Sequence, residues 1–490
     1  MRKNFLANIS FLLLLNLLIK PFWILGIDRG VQNALGPEVY GVYFALFNFS
    51  YLFQVILDFG INNYNNRLIA RSPDKLGSQL FTTLVLKVLL GIVYTLLLFI
   101  AAIGVSFDSE SLRILGQLAL LQIGLSFYSF LRSNVNALHL FRTDAVLSVL
   151  DKSITSVLCG LVLWTHVTGW EISIPLFIQI QIAGYAAGIV VASIILGSRR
   201  ISMIWRFDRT LMVQIFRSSF PYALLGFLMT AYYRTDGVML ERMLGDEGDY
   251  QAGVYASAFR LLDALSILGF LFAGLLMPMF ARMLENRESI APLLRLGYTL
   301  MLIFSAGAGI AFLFHRENIM HLLYHQPDPQ SGAIFGLLMI SFMAISITYI
   351  FGSLITANGS LRMLNIISLG GLLLNAALNA ALIPGYMAIG SAAATVIAQV
   401  MILMAHIFIA AQLFPQAISR QLWLRSIVFL VFVTASNYAC NLLPIAWGYR
   451  LLAGMVCGAV LSVPTGLIQP QELRSILTSL REAVSRRARA

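Results

Sequence analysis

Ten ionisable residues interrupt otherwise apolar stretches of the 490-residue sequence: Lys20, Asp28, Arg29, Asp58, Lys87, Arg132, Arg234, Asp236, Arg260 and Asp263. Facing lipid at mid-helix, each would cost about 2.5–3.5 kcal/mol, so such side chains belong in a protein interior or a wet cavity. Six are basic and four acidic. That balance suits an anionic ligand, whose charge needs donors as soon as it leaves water. Lys20, Arg234 and Arg260 are the leading candidates for such contacts, with Lys87 and Arg132 beside them. Two alternatives stand open: Arg260 and Asp263, three apart on one helix face, could neutralise each other, and Arg132 and Lys87 could reach interfacial water.

A second group is rich in oxygen. Asn375 and Asn379 are four apart, as are Ser391 and Thr395, and Asp236 lies on a third helical stretch. Oxygen ligands from three helices with one carboxylate suit a small hard cation such as Na+. The plainer reading is that the asparagines hydrogen-bond between helices.

The elements that position these groups follow from composition. Hydrophobic residues make up 59% of the chain and charged residues 11%, with mean hydropathy +0.82; soluble proteins carry about 25% charged residues. Apolar runs, each able to cross a hydrocarbon core of about 30 Å, fall near 6–27, 39–61, 79–104, 114–138, 146–168, 172–196, 210–238, 252–277, 292–313, 332–357, 363–383, 387–411, 424–442 and 450–468. They are too long and too evenly apolar for barrel strands, so the sequence predicts an all-α polytopic membrane protein of about fourteen helices. The first run lacks a small-residue cleavage site and reads as an uncleaved signal anchor, kinked at Pro21.

Placing both termini in the cytoplasm puts 22 Lys and Arg on that side and five outside, at Arg29, Arg113, Arg242, Arg316 and Arg450. Positive residues favour the cytoplasmic face. The net charge of +11 is therefore mostly topology, and nothing in the chain suggests nucleic acid. Cys159, Cys440 and Cys457 all lie in apolar runs without metal-binding spacing. The tail 470–490 reads as a basic amphipathic helix on the cytoplasmic leaflet. Trp164 and Trp170 flank the predicted outer end of the fifth helix as interfacial anchors, and no aromatic residue is assigned to sugar stacking. The connections are short, and there is no phosphate-binding glycine-rich loop and no nucleophile constellation, so a transporter is expected rather than an enzyme.

One pattern occurs twice. "ALGPEVYGVYFALF" begins at Ala34, and "MLGDEGDYQAGVYASAF" begins at Met243. Each gives Leu-Gly, an acidic residue two positions on, then Gly-Val-Tyr. The copies join helices 1 and 2 and helices 7 and 8, an offset of six helices. An even offset keeps orientation, so it predicts a parallel repeat about an axis normal to the membrane. Two six-helix lobes, 1–198 and 199–414, would surround a central cavity, with two further helices in 415–469 and the tail 470–490.

The first copy, extended as "LGPEVYGVYFALFNFSYLFQVILDFGINN" over 35–63, resembles the first hairpin of bacterial polysaccharide-export membrane proteins. "RTDGVMLERMLGDEGDYQAGVYASAFRLLDAL" over 234–265 is similar to their seventh and eighth helices. That family lies within the multidrug/oligosaccharidyl-lipid/polysaccharide exporter superfamily. The resemblance implies a flippase for an undecaprenyl-pyrophosphate-linked oligosaccharide (an O-antigen, capsule or exopolysaccharide repeat unit) working by alternating access in the bacterial inner membrane. It implies pathway partners, a polymerase and glycosyltransferases, beside the lipid-linked substrate and membrane lipids. It implies no cofactor, only Na+ or H+ as a coupling ion. The lipid II flippases of the same superfamily carry an acid on helix 7 and polar residues on helices 11 and 12; here Asn379 stands where a second acid would be expected. The alternatives are a multidrug/cation antiporter of the superfamily and a membrane polysaccharide polymerase or ligase.

Overall fold

The structure, a computed structural model, describes residues 2–62, 65, 69, 76–138, 140–165, 169–198, 209–417 and 419–468. The predicted tail helix lies outside the described residues, as do the basic residues Arg67, Arg71, Lys75, Arg199, Arg200 and Arg206. Among the described residues all regular structure is helical.

Each apolar run becomes a helix. We label them α1 (2–35), α2 (37–52, with a short continuation Gln54–Asp58), α3 (Leu76–Gly104), α4 (Ser109–Ala137), α5 (Phe141–Trp164), α6 (Ile174–Ser198) and α7 (Arg209–Met243). They continue as α8 (Gly248–Glu285), α9 (Ala291–Phe314), α10 (Ser331–Ala357), α11 (361–386), α12 (388–413), α13 (Arg420–Asn441) and α14 (Trp447–Leu461). A short helix, Arg316–Leu323, precedes α10. Among the described residues nine helical stretches are long and apolar enough to cross a membrane, and one of them, Leu361–Leu413, contains two of the apolar runs.

The breaks have local causes. Gly36, at φ 79°, separates α1 from α2, and Pro37 starts the second helix without needing a donor. Met387, at φ 51°, divides α11 from α12. Phe59 and Gly60, both at positive φ, close α2. Asp108 caps α4 by accepting from the Ser111 amide at 3.1 Å, and Ser419 caps α13 through the Leu422 amide at 3.2 Å. The kink expected at Pro21 takes another form: the helix runs through the proline and widens into a π-helical turn at Trp23–Asp28. A wide turn absorbs the hydrogen bond that proline cannot donate.

Chain contacts define two compact units. The first comprises residues 1–264, 323–331 and 365–398. It holds α1 to α7, the start of α8, and most of α11 and the first half of α12. Within it the two motif copies touch. A Cβ on Gly41 would overlap the Asp249 carbonyl oxygen, and one on Gly253 would overlap the Pro37 carbonyl oxygen. Asp249 precedes Gly253 by four residues, as Pro37 precedes Gly41, so the contact is reciprocal in the way of a two-fold interface. Gly237 lets α7 approach α2 closely enough that a Cβ would strike Phe44 and Asn48.

The second unit comprises 265–322, 332–364 and 399–490. Its core is built from Leu276, Phe280, Leu294, Ile350, Phe351, Leu354, Phe429 and Val433. Gly307 of α9 and Gly458 of α14 bring those helices into backbone contact, and the Tyr298 hydroxyl donates to Ser426 Oγ at 2.9 Å. The exposed side of α13 and α14 is apolar, with Ile427, Val431, Phe432, Val456 and Val460 on it, as a lipid-facing surface requires.

Candidate functional site

The intramembrane charges of the first unit fall into separate clusters. At the first, Arg260 of α8 donates from Nε to Asp28 Oδ2 of α1 at 2.9 Å and to the Tyr40 hydroxyl at 3.1 Å. The Tyr40 hydroxyl in turn donates to Asp28, 2.9 and 3.0 Å from its two oxygens. Arg260 Nη1 also lies 3.7 Å from Asp263, and Arg234 of α7 reaches that same carboxylate at 3.6 Å and Asn48 Oδ1 at 3.4 Å. Both guanidinium groups rest on aromatic faces: Arg260 over Phe44 and Phe47, Arg234 over Tyr51 and Phe259, at 5.0–5.7 Å. Asp28 has 5% of its side chain exposed and Asp263 27%, so the shared carboxylate is the open one.

This arrangement echoes the repeat. Arg260 occupies in the second copy the position of Asn48 in the first, counted from Gly253 and Gly41. Thus Arg260 of α8 reaches back to α1, while Asn48 of α2 meets Arg234 of α7. Arg260 and Asp263 do meet, as the spacing allowed, but the closer partner of Arg260 is Asp28, which is buried in the protein.

Lys20, on α1, makes no hydrogen bond or ion pair among the described residues, and stands in the field of Arg132, Asp151 and Lys152. Arg132 pairs with Asp144 at 3.1 Å. Lys152 sits 4.6 Å over the Trp23 ring and 5.5 Å from that of Tyr185, with Asp151 at 3.8 Å. Sequence reasoning passed over Asp144, which precedes the 146–168 run, and Asp151 and Lys152, which lie near its start. It passed over Tyr40, Asn48 and Tyr255 because polar uncharged residues are common in such helices. The available signal was that Tyr40 and Tyr255 lie in the two motif copies.

Lys87 is fully enclosed. Its ammonium reaches Asp58 Oδ1 at 3.2 Å, the Leu57 carbonyl at 3.2 Å, and Ser126 Oγ at 2.9 Å. It thereby caps the broken end of α2. None of its side chain is exposed, against 37% for Asp58. The two partners should therefore differ on substitution. Asp58→Ala strands a buried ammonium and should cost about 3–5 kcal/mol, whereas Lys87→Met leaves a carboxylate that water can reach and should cost less than half as much. Thermal unfolding followed by a thiol-reactive dye, which reads exposure of the buried Cys159, checks the order; equal costs would show that the pair is held some other way.

In the oxygen-rich group, Asp236, Asn375, Asn379 and Thr395 lie together. Asp236 accepts from Thr395 Oγ1 at 2.6 Å, from the Tyr255 hydroxyl at 2.7 Å and from Asn379 Nδ2 at 2.8 Å. Asn379 Nδ2 also lies 3.1 Å from Asn375 Oδ1. All five predicted residues are buried, and two of their oxygens, Asn379 Oδ1 and Ser391 Oγ, have no hydrogen-bond partner.

Beyond the apolar part of α7, a cavity of about 810 Å³ is lined by Glu38, Asp108, Glu110, Glu241 and Asp249 together with Arg113 and Arg242. Glu241 pairs with Arg242 at 2.8 Å, and burial raises its carboxyl to about 7 against the partial offset of that arginine. The folded protein thus holds this proton more tightly than the unfolded chain. Stability should fall as pH rises from about 5 to about 7, and Glu241→Gln should flatten that limb. Unfolding temperatures of parent and variant between pH 5 and 8 provide the check: the variant's gain should be largest at pH 8, and a constant difference would contradict the assignment.

Long apolar helices with charges paired between them define a multi-pass membrane protein. Residues 5–284 match the profile of the polysaccharide biosynthesis protein family, and the chain belongs to that family. No curated protein matches the sequence. Among solved structures, the fold is similar to the lipid II flippase MurJ in an inward closed conformation, at 16% identity and TM-score 0.64, over 90% of this chain and 96% of that one. It is also similar to an inward-facing multidrug resistance MATE family transporter of the MOP superfamily, at 12% identity and TM-score 0.63, over 81% and 95%. A third likeness is a MOP superfamily transporter from Pyrococcus furiosus, at 14% identity and TM-score 0.55, over 84% and 93%.

Proposed function

We propose that the protein is a flippase that carries an undecaprenyl-pyrophosphate-linked oligosaccharide across the bacterial inner membrane, its termini cytoplasmic and its six-helix lobes, 1–198 and 199–414, alternating in access. The observation that carries this reading is the pair of arginines, Arg234 and Arg260, held on aromatic faces and sharing one partly open carboxylate, Asp263. A pyrophosphate can take the place of Asp263 and receive charge-assisted hydrogen bonds from both guanidinium groups. Lys20, without an ion partner among the described residues, is the third donor in this reading; Arg132 and Lys87 are already paired and serve the packing. Movement makes and breaks no covalent bond, so no catalytic residue is required. The polymerase and glycosyltransferases of the same pathway are the expected partners.

The Asp236 group is the proposed coupling site. Its two orphaned oxygens and one carboxylate fit a small cation, Na+ or a proton, which would neutralise Asp236. A multidrug or cation antiporter is the second reading, favoured by the fold shared with a multidrug transporter. Family membership in polysaccharide biosynthesis and the interior arginines weigh toward the first.

The test is a flipping assay in proteoliposomes with lipid-pyrophosphate oligosaccharides, run with Na+, with K+ and with a pH gradient. Translocation should respond to one gradient in the parent and lose that response in Asp236→Ala. Export of an organic cation with no oligosaccharide movement under any gradient would overturn the flippase reading.

A further inference from the structure

We infer that the pocket between the α1–α2 turn, the start of α8 and the segment 323–328 binds an uncharged sugar, and that it receives the glycan as it reaches the outer side. The second clause rests on the flippase reading; the pocket itself does not. All of it lies within the first compact unit.

Its volume is about 580 Å³, within the 300–1,000 Å³ of small-molecule sites. Three tyrosines, Tyr40, Tyr250 and Tyr324, line it, with the amides of Gln32, Asn33 and Gln326. No lysine or arginine does, and the one carboxylate, Asp328, is occupied by the Tyr250 hydroxyl at 2.9 Å and the Gln330 amide at 2.7 Å. A phosphate would find no lysine or arginine here, and only the exposed His325 as a basic side chain. A ring with apolar faces and an edge of hydroxyls would find aromatic surface and neutral donors and acceptors.

The frame of the pocket is hydrogen-bonded across its elements. Asn33 clamps 323–325 by donating to the Leu323 carbonyl at 2.9 Å and accepting from the His325 amide at 3.2 Å, and the Tyr324 hydroxyl donates to the Ser257 carbonyl at 2.9 Å. Gln32 is the exception. It is 6% exposed, and neither its Nε2 nor its Oε1 has a hydrogen-bond partner; the amide approaches the Tyr40 hydroxyl without meeting hydrogen-bond geometry. Buried amides are nearly always satisfied, so an unmet donor and acceptor on a residue that lines the pocket point to a ligand that carries both, as a sugar hydroxyl does, once the Gln32 side chain turns to meet it. Tyr40 joins the pocket to the charge cluster, since its ring lines the one and its hydroxyl bonds Asp28 and Arg260 in the other.

Ligand-observed NMR on the full chain in nanodiscs tests this, with a free hexose, a 6-deoxyhexose, an N-acetylhexosamine and glucose 1-phosphate as probes. At least one uncharged sugar should bind with Kd on the order of millimolar, the sugar phosphate no better. Gln32→Leu should weaken binding roughly tenfold, as loss of hydrogen bonds to one amide implies. Gln326→Ala, on an exposed residue where folding is not at risk, should weaken it less. If no uncharged sugar binds, or binding survives both substitutions, the pocket assignment is wrong even where the liposome assay shows flipping. Sugar binding that Gln32→Leu abolishes, in a protein that moves no lipid-linked glycan, would keep the pocket and sink the flippase reading instead.

Discussion

Arg260→Gln is expected to lose both stability and transport, and adding Asp28→Asn should restore the first without the second. The single change leaves Asp28, with 5% of its side chain exposed, as a carboxylate without its counter-ion. Breaking a buried pair by removing one partner costs about 3–5 kcal/mol. In the double variant both members are neutral, Tyr40 can still donate to the new amide, and most of that cost should disappear. Headgroup binding should not return. A charge-assisted hydrogen bond is worth about 1.5–3 kcal/mol, so binding of the lipid pyrophosphate should stay weaker by roughly 10- to 150-fold. Unfolding temperature and flipping rate, measured on parent, single and double variants, separate the two effects. A double variant that transports at the parent rate would make Arg260 a structural counter-ion and remove it from the proposed headgroup site.

Gly253→Ala and Gly41→Ala should be the most destabilising single-methyl additions in the first unit. At each position the new Cβ meets a backbone carbonyl, Pro37 or Asp249 respectively, rather than the end of a side chain that could swing away. Relief requires the α1–α2 turn and the start of α8 to move apart, and costs of about 4–5 kcal/mol or more are expected of such backbone collisions. Two other glycines calibrate the scale. Gly36 has open space around it but sits at φ 79°, so Gly36→Ala should cost about 1–3 kcal/mol in backbone strain alone. Gly226 lies inside α7 with no atom within 4 Å of a Cβ, and Gly226→Ala should stabilise by about 0.5–1 kcal/mol. The ranking can be read from thermal unfolding of the four purified variants. If Gly253→Ala or Gly41→Ala unfolds at the parent temperature, the reciprocal contact is not maintained in the resting protein.

The helices were readable from the chain because a run of about twenty apolar residues has one stable solution in a bilayer, where every backbone polar group must bond within its own segment. The breaks were readable for a similarly local reason: Gly36-Pro37 cannot continue a helix, and the repetition of Leu35-Gly36 as Leu244-Gly245 marked the second hairpin. Part of the Asp236 group was also legible, since residues four apart share a helix face, and Asn379 and Thr395 both meet Asp236. Charge type was legible too, but not charge pairing. That Arg260 would choose Asp28, 232 positions away, over Asp263 three residues along is set by how α8 lies against α1, and no local spacing encodes it. The same holds for Lys87, which composition offers as a ligand for an anion and packing encloses among four oxygens. It holds for Tyr40, Tyr250 and Tyr324, none of which the sequence assigned to sugar stacking. Only a close approach of helices far apart in sequence, permitted by two glycines whose hydrogens touch the opposite backbone, turns them into one pocket wall.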